Sequence, residues 1–430
     1  MDKKAWVVAV SMGYGHQRTA YPLKHLALDG DIINANDYPG IPEKDKKIWE
    51  RSRAFYEFIS RMKRFPVIGE TAFAIYDKFQ EILSYYPKRN LSKQNIQLKQ
   101  IYSLIRKGWG EDIIQNLKTQ NPKSKNNLPI ITTFFIPAFM AEYFKYPGEI
   151  FCIVCDADIS RAWAPLNPKS SRIKYFAPTE RVAERLKQYG IRQKNIFLTG
   201  YPLPQDIIGG KSMNILKNDL RSRLLNLDPK RKYCEKYKVL VKKMLGRLPR
   251  ASGRPLTLMF AVGGAGAQKE IGIQIVKSLS AKILAKDIKI ILVAGIREKV
   301  KEYFEENLEN LKLKNRSNVE IIFGENIESY FQQFNRALRK TDILWTKPSE
   351  LSFYSALGLP IIIAPRIGSQ EEFNKRWLLK SGFGNLQENP KYVGQWLFDW
   401  IEQGYLAESA MEGFIEGEKL GTVNIQKICG

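Results

Sequence analysis

The sequence predicts an α/β protein of two parallel-sheet domains, and three observations carry that prediction. Its 430 residues exceed what a single hydrophobic core organises. Short apolar runs followed by glycine-rich turns and amphipathic segments recur in two separate sets, which is the rhythm of β-α units. Each set also opens with a strand that runs straight into a glycine-rich turn, Ser11-Met-Gly-Tyr-Gly-His16 in the first and Phe260-Ala-Val-Gly-Gly-Ala-Gly-Ala-Gln268 in the second.

In the first set, buried strands are expected at 5–10, 31–34, 129–135, 150–155, 174–176 and 196–198, because each is an unbroken apolar run bounded by turn residues. The second set places them at 256–262, 288–294, 319–323, 342–345 and 360–364. The expected organisation is therefore a first domain over 1–205, a linker with a basic insertion over 206–255, a second domain over 256–400 and a C-terminal helical segment over 401–430. Within the first domain, about 41–125 departs from the α/β rhythm. There aromatic residues such as Trp49, Phe55 and Phe58 interleave with Arg61 and Arg64, as in amphipathic helices that are either ordinary core or a membrane-contacting surface.

A hydrophobic fraction of 44% with 26% charged residues excludes a disordered or collagen-like chain. Lys and Arg number 68 against 44 Asp and Glu, a net charge of +24 that points to nucleic acid, an anionic membrane or phosphorylated substrates without choosing among them. Residues 229–254 alone hold ten Lys and Arg against Glu235. Four cysteines are too few for a disulfide scaffold, and a reducing cytoplasm is the expected compartment. Cys152 and Cys155 have redox spacing but sit in the apolar run IFCIVC, where a buried strand is the simpler reading. No apolar run reaches the roughly 20 residues of a membrane span, so any membrane contact is expected to be peripheral.

The first turn should open a helix at the carboxyl edge of its sheet, where ligands bind in open α/β folds. Gly13 and Gly15 would let the backbone approach a ligand, and His16, one of two histidines, stands on the turn as a candidate base; His25 reads as structural. A dinucleotide fingerprint competes, with Asp37 at a plausible distance for ribose, but Arg18 stands where its third glycine belongs. The second loop offers Gly263, Gly264, Gly266, Ala267 and Gln268 as a cradle for a diphosphate, or simply a tight turn. No GxxxxGK[ST] motif occurs, so this is no P-loop NTPase. The stretch 323–327, with Asn326 and Ile327, is expected to hold a base. Farther on, Lys347, Ser349, Glu350, Ser369, Gln370, Glu371 and Asn374 crowd two strand ends as groups that bind sugar or ribose hydroxyls, with helix capping as the plainer role of the serines. Asp156 and Asp158 have the spacing of a metal pair, yet no metal site is expected from them.

The ordered series SMGYGHQRTA, CDADISRAWAP, YFAPTERVAERLKQYGI, IFLTGYPLP, MFAVGGAGAQ, DILWTKPSELSF and GLPIIIAPRIGSQEEFN resembles the GT-B glycosyltransferases over most of the chain. It is similar in style to the monogalactosyldiacylglycerol synthases, the diacylglycerol glucosyltransferases and the N-acetylglucosaminyltransferase of the peptidoglycan lipid precursor. The resemblance implies two Rossmann-like domains facing across a cleft. It further implies inverting transfer of a sugar from a nucleotide diphosphate, UDP above all, to a lipid or lipid-linked acceptor at the inner membrane face. No cofactor or metal is then required beyond the UDP-sugar co-substrate, and no nucleic-acid partner is expected. The family's usual Glu before Gly-Leu-Pro is Phe353 here, leaving Glu350 as a substitute ribose ligand. The resemblance casts His16 as general base, with Asp156 as runner-up. A UDP-sugar 2-epimerase, a transferase with a soluble acceptor and a non-catalytic nucleotide-sugar or nucleic-acid binding protein are the competing readings.

Overall fold

In the computed structural model, which describes residues 4–62, 82–120, 127–261, 263, 266, 268–366 and 369–429, the two sets of apolar runs form two parallel sheets. The first contains β1 (Trp6–Ala9), β2 (Ile33–Asn34), β3 (Ile130–Thr132), β4 (Ile150–Ile153), β5 (Lys174–Ala177) and β6 (Ile196–Leu198), in the order β2-β1-β3-β4-β5-β6. The second contains β7 (Leu256–Ala261), β8 (Ile288–Gly295), β9 (Val319–Phe323), β10 (Ile343–Thr346), β11 (Ile361–Ile363) and β12 (Gly384–Leu386), in the order β12-β11-β10-β7-β8-β9. Strands β1, β3, β4, β7 and β10 are buried at every position, which is why they read as unbroken apolar runs rather than alternating ones.

Both orders reverse direction at one point. In the first sheet the chain goes from β1 outward to β2, then returns to β3 on the other flank; in the second it goes β7-β8-β9 and returns to β10. These reversals lie between β1 and β3, paired with Trp6 beside Ile130, and between β7 and β10, paired with Phe260 beside Trp345. Crevices for ligands open at such points, outside the carboxyl ends of the strands.

Three expectations shift. The run 129–135 is strand only to Thr132, and Phe135 opens the helix Phe135–Tyr143, because a helix buried on most faces is as apolar as a strand. The twelfth strand, β12, is three residues long and begins with Gly384, where a Cβ would stand 2.7 Å from the Ile361 carbonyl oxygen; it carries no apolar run to announce it. The supposed linker is instead helical, with helices Gln205–Ile208, Asn214–Leu227, Lys232–Lys236 and Lys238–Leu245.

The chain divides into two units, one of residues 1–203, 367–374 and 420–430, the other of 204–366 and 375–419. The former linker thus belongs to the second unit. Its Arg223, fully buried, donates to the carbonyls of Thr341 (2.8 Å) and Leu357 (2.7 Å) at the ends of neighbouring elements. The helix Gly421–Cys429 returns to the first unit, where Thr422 Oγ1 donates to the Leu203 carbonyl at 2.6 Å and Ile425 packs with Val7 and Ala9 of β1. In the insertion, the described helices are Glu43–Met62, Ile96–Arg106 and Glu111–Thr119; the last two bury Leu98, Ile101 and Ile105, and Ile113, Ile114 and Leu117.

Candidate functional site

At the reversal in the first sheet, β1 passes through Gly13 into the helix Tyr14–Ala20. Gly13 has φ +99, a left-handed value that favours glycine, while a Cβ built there would meet no atom within 4 Å. The turn is pinned from the neighbouring strand: Ser11 N donates to Asn36 Oδ1 (2.8 Å), and Ser11 Oγ accepts from Asn34 Nδ2 and Gln17 Nε2. His16 therefore lies on the first turn of the helix rather than on the loop. Its Nδ1 stands 2.8 Å from the carbonyl oxygen of Thr133, the residue that follows β3. A carbonyl only accepts, so Nδ1 carries the proton and Nε2 keeps the lone pair in the neutral ring.

Cys155 Sγ lies 3.5 Å from the same Nδ1, and the Phe134 and Trp163 rings flank the imidazole at centroid distances of 4.6 and 6.5 Å. These contacts fix the orientation of the imidazole. Sequence reasoning missed Thr133, Phe134 and Trp163, since a backbone carbonyl and two aromatic rings carry no motif. His25 lies in the 3-10 helix Tyr21–Leu26, its Nδ1 3.0 Å from the Pro22 carbonyl, as a structural residue would.

Asp156, half-buried beyond the end of β4, accepts from Asn374 Nδ2 at 3.0 Å, and Asn374 Oδ1 accepts from Ala157 N at 2.7 Å. The fully buried Asn374 is thus engaged with the Asp156 loop. Asp158 is held by Arg185 through Nε (2.8 Å) and Nη2 (2.9 Å) and by Arg181 Nε (2.9 Å), which makes it part of an ion-pair cluster. Burial opposes the Arg185 charge, yet the hydrogen bonds and charge of Asp158 raise its pKa above the ordinary arginine value.

In the second unit, Gly263 and Gly266 belong to a tight turn after β7: Gly266 N donates to the Gly263 carbonyl at 2.7 Å, and Gly266 has φ +68. A Cβ on Gly263 would stand 2.5 Å from Cε and 3.3 Å from Nζ of Lys347, so the Lys347 side chain passes closely over this backbone. Gly263 follows β7 and Lys347 follows β10; the structure thus brings these two predicted residues together at the second reversal. Gln268 closes the loop, its Nε2 donating to the Pro365 carbonyl at 2.6 Å just before the helix Lys269–Ser278. Gly264 and Ala267 lie outside the described residues.

Asn326 caps the helix Ile327–Leu338, its side chain accepting from Ser329 N at 2.9 Å. Ser349 precedes the 3-10 helix Glu350–Leu357 without a side-chain cap, and Glu350 opens that helix half-exposed. Glu371 is buried, while Ser369 and Gln370 begin the helix Ser369–Lys380 and their side chains lie outside the description. One expected membrane contact is corrected: Trp49 is 3% exposed and packs on Trp109 at 4.8 Å, so it belongs to the core. Phe55, Phe58 and Arg61 fall on the helix Glu43–Met62, but their side chains and all of Arg64 lie outside the described residues. No helix among the described residues is long and apolar enough to cross a membrane.

Two α/β units, each a six-stranded parallel sheet with a glycine-bearing turn at its reversal, are the architecture of the GT-B glycosyltransferases, and this chain resembles that class. Residues 240–321 match a family model described as a domain of unknown function, DUF6938. The processive diacylglycerol beta-glucosyltransferase of Bacillus subtilis (strain 168) is 22% identical over 259 residues, 59% of this chain and 55% of the relative. The chain thus matches about half the length of that curated relative. Among solved structures, Acinetobacter baumannii MurG aligns over 99% of both chains at 11% identity and a TM-score of 0.47. The UDP-GlcNAc 2-epimerase of Neisseria meningitidis, bound to UDP-GlcNAc, aligns over 84% of this chain and 86% of its own at 14% identity and a TM-score of 0.46.

Proposed function

We propose that this protein is an inverting, metal-independent glycosyltransferase that moves a sugar from a UDP-sugar to a hydroxyl of a lipid or lipid-linked acceptor, working peripherally on an anionic membrane. The observation that carries the reading is the pair of occupied reversals: His16 held by the Thr133 carbonyl in one sheet, and Gly263 under Lys347 in the other. In this scheme His16 Nε2 takes the acceptor hydroxyl proton while the oxygen attacks the anomeric carbon. The bond from that carbon to the β-phosphate oxygen breaks, and its electron pair leaves with UDP. Lys347 and the turn at Gly263 and Gly266 take up the diphosphate charge, and Glu350 is assigned in this scheme to the ribose hydroxyls. The lipid acceptor draws support from the diacylglycerol named for the Bacillus subtilis relative and from the net charge of +24. The aromatic and basic stretch 46–90, apart from the buried Trp49, and the insertion 229–254 are the proposed membrane contacts.

The deciding experiment incubates the protein with radiolabelled UDP-sugars, with and without a lipid extract. Lipid-dependent transfer with release of UDP is the expected result. An epimerised UDP-sugar formed without acceptor would assign a 2-epimerase instead, and RNA binding without turnover of any UDP-sugar would assign a binding protein.

A further inference from the structure

The first unit carries a second concave surface, at the opposite edge of its sheet from His16. Two cavities of about 590 Å³ each share Leu166, Asn167 and Ser170 as lining residues, so they are two lobes of one cleft. Tyr146 and Arg172, in the second lobe, precede β4 and β5, whereas His16, Thr133 and Cys155 follow β1, β3 and β4. In a parallel sheet those are opposite edges.

The cleft is cationic on both sides of the shared residues. Lys93, Lys99 and Lys169 line the first lobe; Arg106, Lys145 and Arg172 line the second. Among the described residues Glu142 is the one carboxylate lining either lobe, and its Oε1 already accepts from Ser171 Oγ (2.8 Å) and Arg172 N (2.7 Å). None of the six cations has a carboxylate of a described residue within ion-pair distance. Lys99 and Arg106 lie seven residues apart on the helix Ile96–Arg106, hence on one face and about 10 Å apart along it, one in each lobe.

The walls are fixed. Arg161, 3% exposed, donates to the carbonyls of Ser92, Ala164 and Pro165, and Gln94 Nε2 donates to the Leu166 carbonyl at 3.1 Å. Tyr102 and Ser171, 7% and 4% exposed, contribute to the second lobe. Six like charges gathered in a concave wall repel one another and focus a positive potential on whatever enters. A carboxylate brings one negative charge to a lobe of three cations; a phosphate monoester brings about −1.5 to −2.

We propose that this cleft binds an elongated ligand carrying several phosphate groups, with phosphates in both lobes, at a site separate from the candidate transferase centre. The ligand is a soluble polyphosphorylated anion or a clustered lipid phosphate headgroup, and two arms of one experiment tell them apart. Inorganic long-chain polyphosphate is titrated into the intact protein by calorimetry with UDP present, and inorganic phosphate is titrated in parallel. Tight binding of the long chain and weak binding of single phosphate is expected. Lys99→Glu and Arg106→Glu should each weaken the long chain about tenfold or more, with melting temperature and UDP affinity unchanged. In the second arm, the same variants are sedimented with phosphatidic acid and with phosphatidylglycerol vesicles. A preference for phosphatidic acid that both variants lose assigns a lipid source; polyphosphate binding without that preference assigns a soluble one. Polyphosphate affinity unchanged in both variants, or no long-chain binding by the wild-type protein, overturns the proposal. Because the readout is variant dependence in the cleft, absence of UDP binding would overturn the transferase reading and leave this one standing.

Discussion

Replacing His16 by Ala removes the one imidazole held at the first reversal by a backbone carbonyl. General base catalysis contributes about 10²–10⁴-fold, so turnover should fall by that order while donor affinity measured by calorimetry stays put. A nearly active His16→Ala protein would transfer the role to Asp156, and Asp156→Asn would then be the inactive variant. The position of His16 at the reversal was legible because histidine occurs twice in the chain and this one follows a strand and a glycine turn. Thr133 was not, since its contribution is a main-chain carbonyl that any residue possesses. The partnership of Asp156 with Asn374 joins positions 218 apart, and nothing in either residue's surroundings marks it. Trp49 was misread for a physical reason: aromatic residues interleaved with basic ones describe a helix against a core as well as a helix against a membrane.

Elements were more legible than residues, because a parallel strand covered on both faces must be apolar throughout. The eleven runs so identified became strands, with ends shifted by a few residues; the twelfth, β12, is too short and too polar to show. Two predictions belong at this scale. Gly263→Ala places a methyl group against the Lys347 side chain, whose flexible end moves aside. Stability should hold, but UDP should bind about 10–100-fold more weakly, the cost of roughly 1.5–3 kcal/mol for a displaced charged hydrogen bond. Unchanged affinity by calorimetry would remove Lys347 from the nucleotide site. Arg223→Leu leaves buried carbonyls of Thr341 and Leu357 without their donor, so unfolding by urea should show a loss of at least about 2 kcal/mol. A neutral result would mean that the helix Asn214–Leu227 is the linker its composition suggested.

Two properties belong to the whole molecule. Burial raises the pKa of Tyr146, Cys234 and Cys429 to about 12, and lifts Tyr102, Tyr175 and Tyr189 further. In the unfolded chain these groups ionise near their ordinary values, about 8.5 for a thiol and 10 for a phenol. Above those values the unfolded state holds fewer protons than the folded one, so stability present below pH 8.5 is lost progressively as pH rises toward about 12. Melting temperatures across that range should fall steeply, and a flat profile would contradict the burial. The other property is the charge of +24, much of it displayed on the insertion. Lys236, Lys238, Lys242, Lys243, Arg247 and Arg250 are exposed there, and Val239 is 84% exposed among them on the helix Lys238–Leu245. Each such cation contributes roughly 1 kcal/mol near an anionic leaflet, and an exposed apolar side chain adds insertion at the headgroup boundary. The intact protein should therefore pellet with phosphatidylglycerol vesicles at low salt and be released as salt rises. Lys238→Glu combined with Lys242→Glu and Lys243→Glu should shift release to lower salt, as should Phe55→Ser with Phe58→Ser, whereas Trp49 is a core residue whose replacement tests stability instead. RNA binding would show the same salt dependence without need of Phe55 or Phe58. Tight RNA binding with no pelleting on the vesicles would end the membrane reading.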